Sequence, residues 1–288
     1  MLQRTRSLWL ASLVLILACG GTEPDPPVEP TSYIYFGCTF AVESGICRIN
    51  PDGSAFTVLT TDAGLVTAPG VSFDGRRIAF GCPEGVCVMN ADGSGRELVI
   101  GGDGGTEPTW SPDGTRLAFI RGQRIWIANA DGSAPAPLTP DSIIVASPSW
   151  SPDGLRIISS EPYPGDDLWM IDATGANLTK ISDAARSFPV FPRWSPDGSR
   201  VLYTSGEVAS DLFITDLTGA DHLQVRTGGQ VGRSDWSPDG SEIVVVKFDG
   251  FTEQLYHRTL ANEHLTKLTS RPTVRVVHGV DWAPLPQP

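Results

Sequence analysis

The side chains in this sequence that could do chemistry fall into three groups. One is a set of charged and polar residues, Glu107, Ser147, Arg193, Arg233 with Asp235, and His278 with Asp281, each one to four residues ahead of a tryptophan. Gathered at one opening, such a mixed ring could hold a peptide or a sugar through charge-assisted hydrogen bonds. The second group is the cysteines: Cys19 after an apolar run, then Cys38, Cys47, Cys82 and Cys87. The third is the histidines His222, His257, His264 and His278, which make a metal site only if several converge, and only His278 stands just ahead of one of these tryptophans. The sequence holds no Gly-x-Ser-x-Gly elbow, His-Glu-x-x-His pair, P-loop or dinucleotide fingerprint. Its Asp-rich turns, such as Asn90-Ala91-Asp92-Gly93-Ser94, lack the later bidentate acid of a calcium loop. The expectation is a non-enzyme with no metal or cofactor.

The elements that position these residues begin with the leader. Arg4 and Arg6 precede an apolar stretch from Leu8 to Leu17, then Ala18 and Cys19, the order of an export signal. These ten residues, apolar except for Ser12, make a helix of roughly 15 Å, about half of a hydrocarbon core. Ile16-Leu17-Ala18-Cys19 resembles the bacterial lipobox, in which the cysteine becomes an acylated N-terminus; the alternative is an ordinary signal peptide cut near Cys19. The division expected is a signal over 1–18, a lipidated cysteine and Pro-rich tether over 19–32, and one domain over 33–288. In proteins with such a lipobox the next residue steers sorting, and Gly20 implies the outer membrane of the cell envelope. Removing residues 1–18 takes two arginines and no acid from a net charge of −12 and leaves −14. That balance, with no basic stripe, argues against nucleic acid.

The main domain is repetitive. Trp-Ser-Pro-Asp-Gly stands at 110–114, 150–154, 194–198 and 236–240, with a degenerate copy Val71-Ser72-Phe73-Asp74-Gly75 before and Trp282-Ala283-Pro284 after. The first positions are 39, 40, 44, 42 and 46 residues apart, within the range of four-stranded propeller blades. Pro fixes the φ that a β-turn needs, Asp bonds nearby backbone and Gly ends the turn, so each motif is a hairpin corner after an innermost strand. Strands such as Arg116-Leu117-Ala118-Phe119-Ile120 and Ile125-Trp126-Ile127-Ala128 follow, and each unit ends on a short outer strand such as Pro137-Leu138-Thr139. The count predicts an all-β, six-bladed propeller whose last strand, around Trp282, pairs with three N-terminal strands and closes the ring. The tryptophans are expected between blades, as core.

From Tyr33 to Trp282 these repeats resemble those of the C-terminal propeller of TolB and its relatives. The resemblance implies the fold, and it does not fix activity, because similar repeats occur in envelope assembly proteins, in peptidase propellers and in some polysaccharide lyases. The implied reading is a monomeric, lipid-anchored envelope module that binds a protein or a glycan through one propeller face, with a propeller-type polysaccharide lyase or hydrolase as the alternative. A chain this acidic is poorly matched to an acidic polysaccharide.

The four later cysteines occupy matching places in two neighbouring repeats, Phe36-Gly37-Cys38 with Cys47 and Phe80-Gly81-Cys82 with Cys87. Each pair flanks a hairpin connection, where cross-strand positions bring Cα atoms within disulfide reach, and export favours oxidation. The expected bridges are Cys38 to Cys47 and Cys82 to Cys87. Intervals of eight and four residues do not form Cys-x-x-Cys metal knuckles.

Overall fold

The turn motif folds by satisfying itself. Ser111 Oγ donates to Asp113 Oδ1 at 2.6 Å and accepts the Arg116 N–H at 2.9 Å, and Asp113 Oδ1 also accepts the Thr115 N–H at 3.0 Å. Gly114, at φ 67°, closes the turn by donating to the Ser111 carbonyl at 2.8 Å. The Ser151, Ser195 and Ser237 turns repeat this set. So does the degenerate copy: Ser72 and Asp74 make the same bonds although Phe73 replaces proline. The Ser and Asp hold the corner, and the proline position is left to vary.

The computed structural model describes residues 30–286 except 41–42, 63–68, 103–104, 163–164, 166, 182–187, 206–210, 251, 263 and 270–273. The export signal, Cys19 and the tether up to residue 29 lie outside the described residues. The described residues form six four-stranded antiparallel sheets. Blade 1 is Gly70–Val71, Arg77–Cys82, Gly85–Asn90 and Glu97–Gly101; blade 2 is Thr106–Trp110, Arg116–Arg121, Arg124–Asn129 and Ala136–Pro137. Blade 3 is Ala146–Trp150, Arg156–Ser160, Leu168–Asp172 and Thr179–Lys180; blade 4 is Pro189–Trp194, Arg200–Ser205, Leu212–Asp216 and His222–Val225. Blade 5 is Val231–Trp236, Glu242–Phe248, Glu253–Thr259 and Thr266–Lys267. Blade 6 joins the chain ends: Val274–Pro284 is innermost, beside Ser32–Phe40, Glu43–Ile49 and Thr57–Asp62. Ile34 pairs with Trp282 and Tyr35 with Asp281, so the ring closes with no open radial edge. Among the described residues no helix is long and apolar enough to cross a membrane.

The outer strands begin earlier than the sequence reading placed them. Ala136–Pro137 and Thr266–Lys267 pair in register, Leu138 and Leu268 still donate to the Ile125 and Leu255 carbonyls, and the Thr that follows does a different task. Thr139 Oγ accepts the Ile125 N–H at 3.1 Å and Thr269 Oγ that of Leu255 at 3.0 Å, so a side chain stands in for a ladder partner.

The core lies between blades. Trp110, Trp150, Trp194, Trp236 and Trp282 are buried, and Trp110 packs with Ala79, Val86 and Val88 of the preceding blade. The indoles also stitch neighbours together. Trp110 Nε1 donates to the Gly70 carbonyl at 3.0 Å, Trp194 to Ser149 at 3.1 Å and Trp236 to Arg193 at 3.4 Å, each acceptor being the residue before the equivalent position one blade back. Arg77, Arg116 and Arg156 lie over the rings of Trp110, Trp150 and Trp194.

Both disulfides are present, Cys38–Cys47 and Cys82–Cys87, each with Cα atoms 5.9 Å apart. They join diagonal rather than directly opposed positions: Cys38 pairs in register with Gly45 and Cys82 with Gly85, two residues before their sulfur partners. Side chains two apart share a sheet face, which puts each bridge on one side of its hairpin.

Candidate functional site

The innermost strands carry the candidate residues, and they do so in two layers. Side chains one and three positions before the tryptophan reach the channel at two levels. The layer one residue before it holds Thr109, Ser149, Arg193, Asp235 and Asp281. These five line the floor of a cavity of about 300 Å³ whose walls are Trp150, Trp194, Trp236 and Trp282 and whose rim is Pro152, Pro196, Pro238, Pro284 and Phe73. Phe73 is 44% exposed. The cavity therefore opens on the face formed by the Ser-Pro-Asp-Gly turns.

The second layer holds Glu107, Ser147, Phe191 and Arg233, roughly 7 Å further along the strands by the rise per residue. The sequence reading placed both sets in one ring; the structure separates them. Glu107 of blade 2 forms an ion pair with Arg233 of blade 5, the blade opposite. Glu107 Oε2 also accepts the Ser147 N–H of blade 3 at 2.8 Å, and Arg233 lies 4.2 Å over the ring of Phe191 in blade 4. Burial works to raise the Glu107 carboxyl, but the Arg233 guanidinium, the Ser147 N–H and Arg193 together hold it below the usual carboxylate range. The layer spans the channel from blade 2 to blade 5 and neutralises itself.

Backbone strain marks the same layer. Glu107, Ser147 and Phe191 have φ of 53°, 53° and 57°, and each precedes a proline. A register shift against the neighbouring strand accompanies each, between Thr106 and Thr109, Ala146 and Ser149, and Val190 and Arg193. In blade 6 the shift falls between Val276 and Val280 and Gly279 takes the positive φ, at 123°. Left-handed non-glycine residues cost about 1–3 kcal/mol each and gather where structure serves a site. The bulges re-aim side chains into the channel.

The floor is charged and unbalanced. Asp235 Oδ1 lies 3.9 Å from Arg193 Nε, and its Oδ2 accepts the Trp282 N–H at 2.8 Å. Asp281 Oδ2 accepts the Val71 N–H at 3.3 Å. Burial raises the Asp235 carboxyl above its ordinary value despite Arg193 and the backbone donors. Burial, then the neighbouring Asp235 charge, push Asp281 up to about 8, and Arg193 and the Val71 N–H only partly oppose them. At neutral pH the pair therefore retains a proton.

Of the residues singled out from sequence, Glu107, Ser147 and Arg233 meet in the inner layer, and Arg193, Asp235 and Asp281 on the floor. His278 belongs to the strand Val274–Pro284, and its side chain lies outside what the structure describes. His222 bonds Tyr203 and the Gly219 carbonyl on blade 4, and His257 faces Glu242 on blade 5. Cys82, Glu84 and Cys87 converge, but both sulfurs are in the disulfide. Sequence reading missed Thr109, Ser149, Phe191 and Phe73. The first three could have been found by counting one and three places back from every tryptophan, and Phe73 by noting which turn lacks proline.

No protein-family model matches the chain, and no curated protein matches it in sequence. Solved structures do match in shape. TolB from Acinetobacter baumannii superposes with a TM-score of 0.77 at 18% identity, over 88% of this chain and 67% of that one. The fold is that of a TolB-like six-bladed β-propeller. A chain of a nidogen/laminin complex matches the TolB-like propeller with a TM-score of 0.75 at 11% identity, over 89% of this chain and 99% of that one. An oligogalacturonate lyase in complex with manganese matches it with a TM-score of 0.58 at 17% identity, over 82% and 73%. Shared shape at such identities carries the fold of the TolB-like propeller and leaves its activity to its own residues.

Proposed function

We propose that this protein is a lipid-anchored binding module of the cell envelope that receives a partner protein at the turn-side mouth of its channel. The observation that carries the reading is the cavity of about 300 Å³ with a charged floor, aromatic walls and the exposed Phe73 at its rim. Concave, mostly apolar sites with a few convergent polar groups are where ligands bind. The inner layer of Glu107 and Arg233 spans the channel beneath, so the cavity is reached from the turn side. The similar fold of a chain in a nidogen/laminin complex supports a protein partner. Anchoring rests on the lipobox-like Ile16-Leu17-Ala18-Cys19 and the Pro-rich segment after it; Cys19→Ala should move the protein from the membrane to the soluble fraction. The resemblance of shape to an oligogalacturonate lyase favours an enzyme less, because a chain with a formal net charge of −12 is poorly matched to an acidic sugar chain.

The test is site-specific photo-crosslinking in intact envelopes. A crosslinker at position 73 sits on the turn-side rim, and one at 248 ends the strand Glu242–Phe248, which runs from the turn to the other face. Capture of one specific envelope protein from position 73 and not from 248 is expected. Capture from 248 alone, or from neither, overturns the assignment.

A further inference from the structure

The charges of the channel are unequally settled. Glu107 and Arg233 answer each other, while on the floor one guanidinium, Arg193, faces two carboxylates, Asp235 and Asp281. Each carboxylate has one oxygen fixed by a backbone N–H, from Trp282 or Val71. Asp235 turns its other oxygen toward Arg193; among the described residues no hydrogen bond occupies the second oxygen of Asp281. Beside them stand the hydroxyl residues Thr109 and Ser149, and above them rise four indoles and the rim of prolines and Phe73.

We propose that the floor of this cavity is an ammonium-binding subsite that takes the side chain of a lysine presented by the partner. The inference rests on the cavity being the partner's docking site. An alkylammonium carries three N–H donors on a compact charge, and the floor offers single acceptor oxygens at separate points. A guanidinium is less well matched, since its bidentate fork needs both oxygens of one carboxylate, and here one oxygen of each is held by backbone. A hard metal ion wants six or more oxygens, and the floor offers few. The apolar lining fits a lysine's methylene stem, which buries itself while the head stays charged.

The proton kept by the Asp235 and Asp281 pair supplies a second signature. The groups facing Asp281 are Asp235, Arg193 and Tyr35, the last of these its register partner. A bound ammonium takes the proton's place, so binding at neutral pH releases a proton and strengthens as pH rises toward 8.

Titration calorimetry on the full chain with Nα-acetyl-lysine N-methylamide tests this. The controls are the Nζ-acetylated compound and its norleucine counterpart, in two buffers of different ionisation enthalpy. Saturable binding of the lysine compound alone is expected, with proton release and at least about tenfold weakening in Asp281→Asn. Equal binding of the charged and acetylated compounds, or no binding of either, overturns the proposal on the wild type alone, however the variant folds. If position 73 still captures its partner while the lysine compound does not bind, the ammonium subsite fails and the docking site stands. Binding of the lysine compound with no capture means the reverse.

Discussion

Glu107 and Arg233 are 126 residues apart and belong to opposite blades, yet they form an ion pair across the channel. The indole bonds and the closing strand join a blade to itself or to its neighbour. This pair joins blades that share no border, and it sits where the backbone is strained. Each side chain retains only 15–17% exposure, so neither can turn to water if its partner goes.

Removing one partner should therefore cost more than the pair itself contributes. Breaking a buried pair strands a charge and typically costs about 3–5 kcal/mol, whereas replacing both by apolar residues is often neutral. Glu107→Met alone should lower the urea midpoint sharply, and Glu107→Met with Arg233→Met should recover most of the loss. Losses that simply add would mean the two are not coupled.

The indoles make a finer comparison. Trp110 and Trp194 donate across the blade boundary, whereas Trp150 Nε1 is buried and has no hydrogen-bond partner among the described residues. Phenylalanine in each place removes similar packing, but only two of the three lose a hydrogen bond. Trp150→Phe should be the mildest of the three by about 1 kcal/mol, read from denaturant unfolding.

The blade count, the ring closure and both disulfides were legible because they follow from repetition. Five residues that satisfy their own turn must recur wherever the turn recurs, and cysteines at matching repeat positions must meet at matching hairpins. The site was only half legible. Arg193 and Arg233 read as equivalent basic residues ahead of tryptophans, but one and three places before the ring fall in different layers, and bulges at Glu107, Ser147 and Phe191 set those layers. Bulges with positive φ before proline leave no compositional mark. The opposition of Glu107 and Arg233 follows from angles around a closed ring, which only the assembled blades define.

The turn aspartates give the fold an acid limit. The Ser111 hydroxyl, then the Thr115 N–H and hydroxyl, hold Asp113 down at about 2, and Ser195 with Ser199 do the same for Asp197. A folded pKa below the ordinary 3.8 means the stabilisation is complete above about pH 4 and is lost as pH falls through 2. Asp113→Asn with Asp197→Asn should be less stable than wild type at pH 7, and the gap should close between pH 4 and 2. A gap unchanged at pH 2 would place its origin elsewhere.

Reduction should weaken the fold without abolishing it. The bridges span nine and five residues in two of the six blades, and loops that short contribute about 2–3 kcal/mol each by chain entropy. Thermal unfolding should shift down in reductant while the sheet signal at 25 °C survives. Loss of the sheet signal at that temperature would show that the staples are required for folding.

Asp281 runs opposite to the turn aspartates. Its folded pKa of about 8 stands above the ordinary 3.8, so between those values the folded chain binds more protons than the unfolded one, and stability falls as pH rises through that interval. Asn cannot ionise and is close in shape to the protonated acid. Asp281→Asn should therefore match wild type near pH 4 and become progressively more stable than it up to pH 8, read as unfolding midpoints across that range. A constant difference would mean Asp281 is already ionised in the folded protein, with Arg193 shared between two charged carboxylates. An advantage that grows with pH would show that the chain holds a carboxyl poised against its own stability at the floor of the cavity.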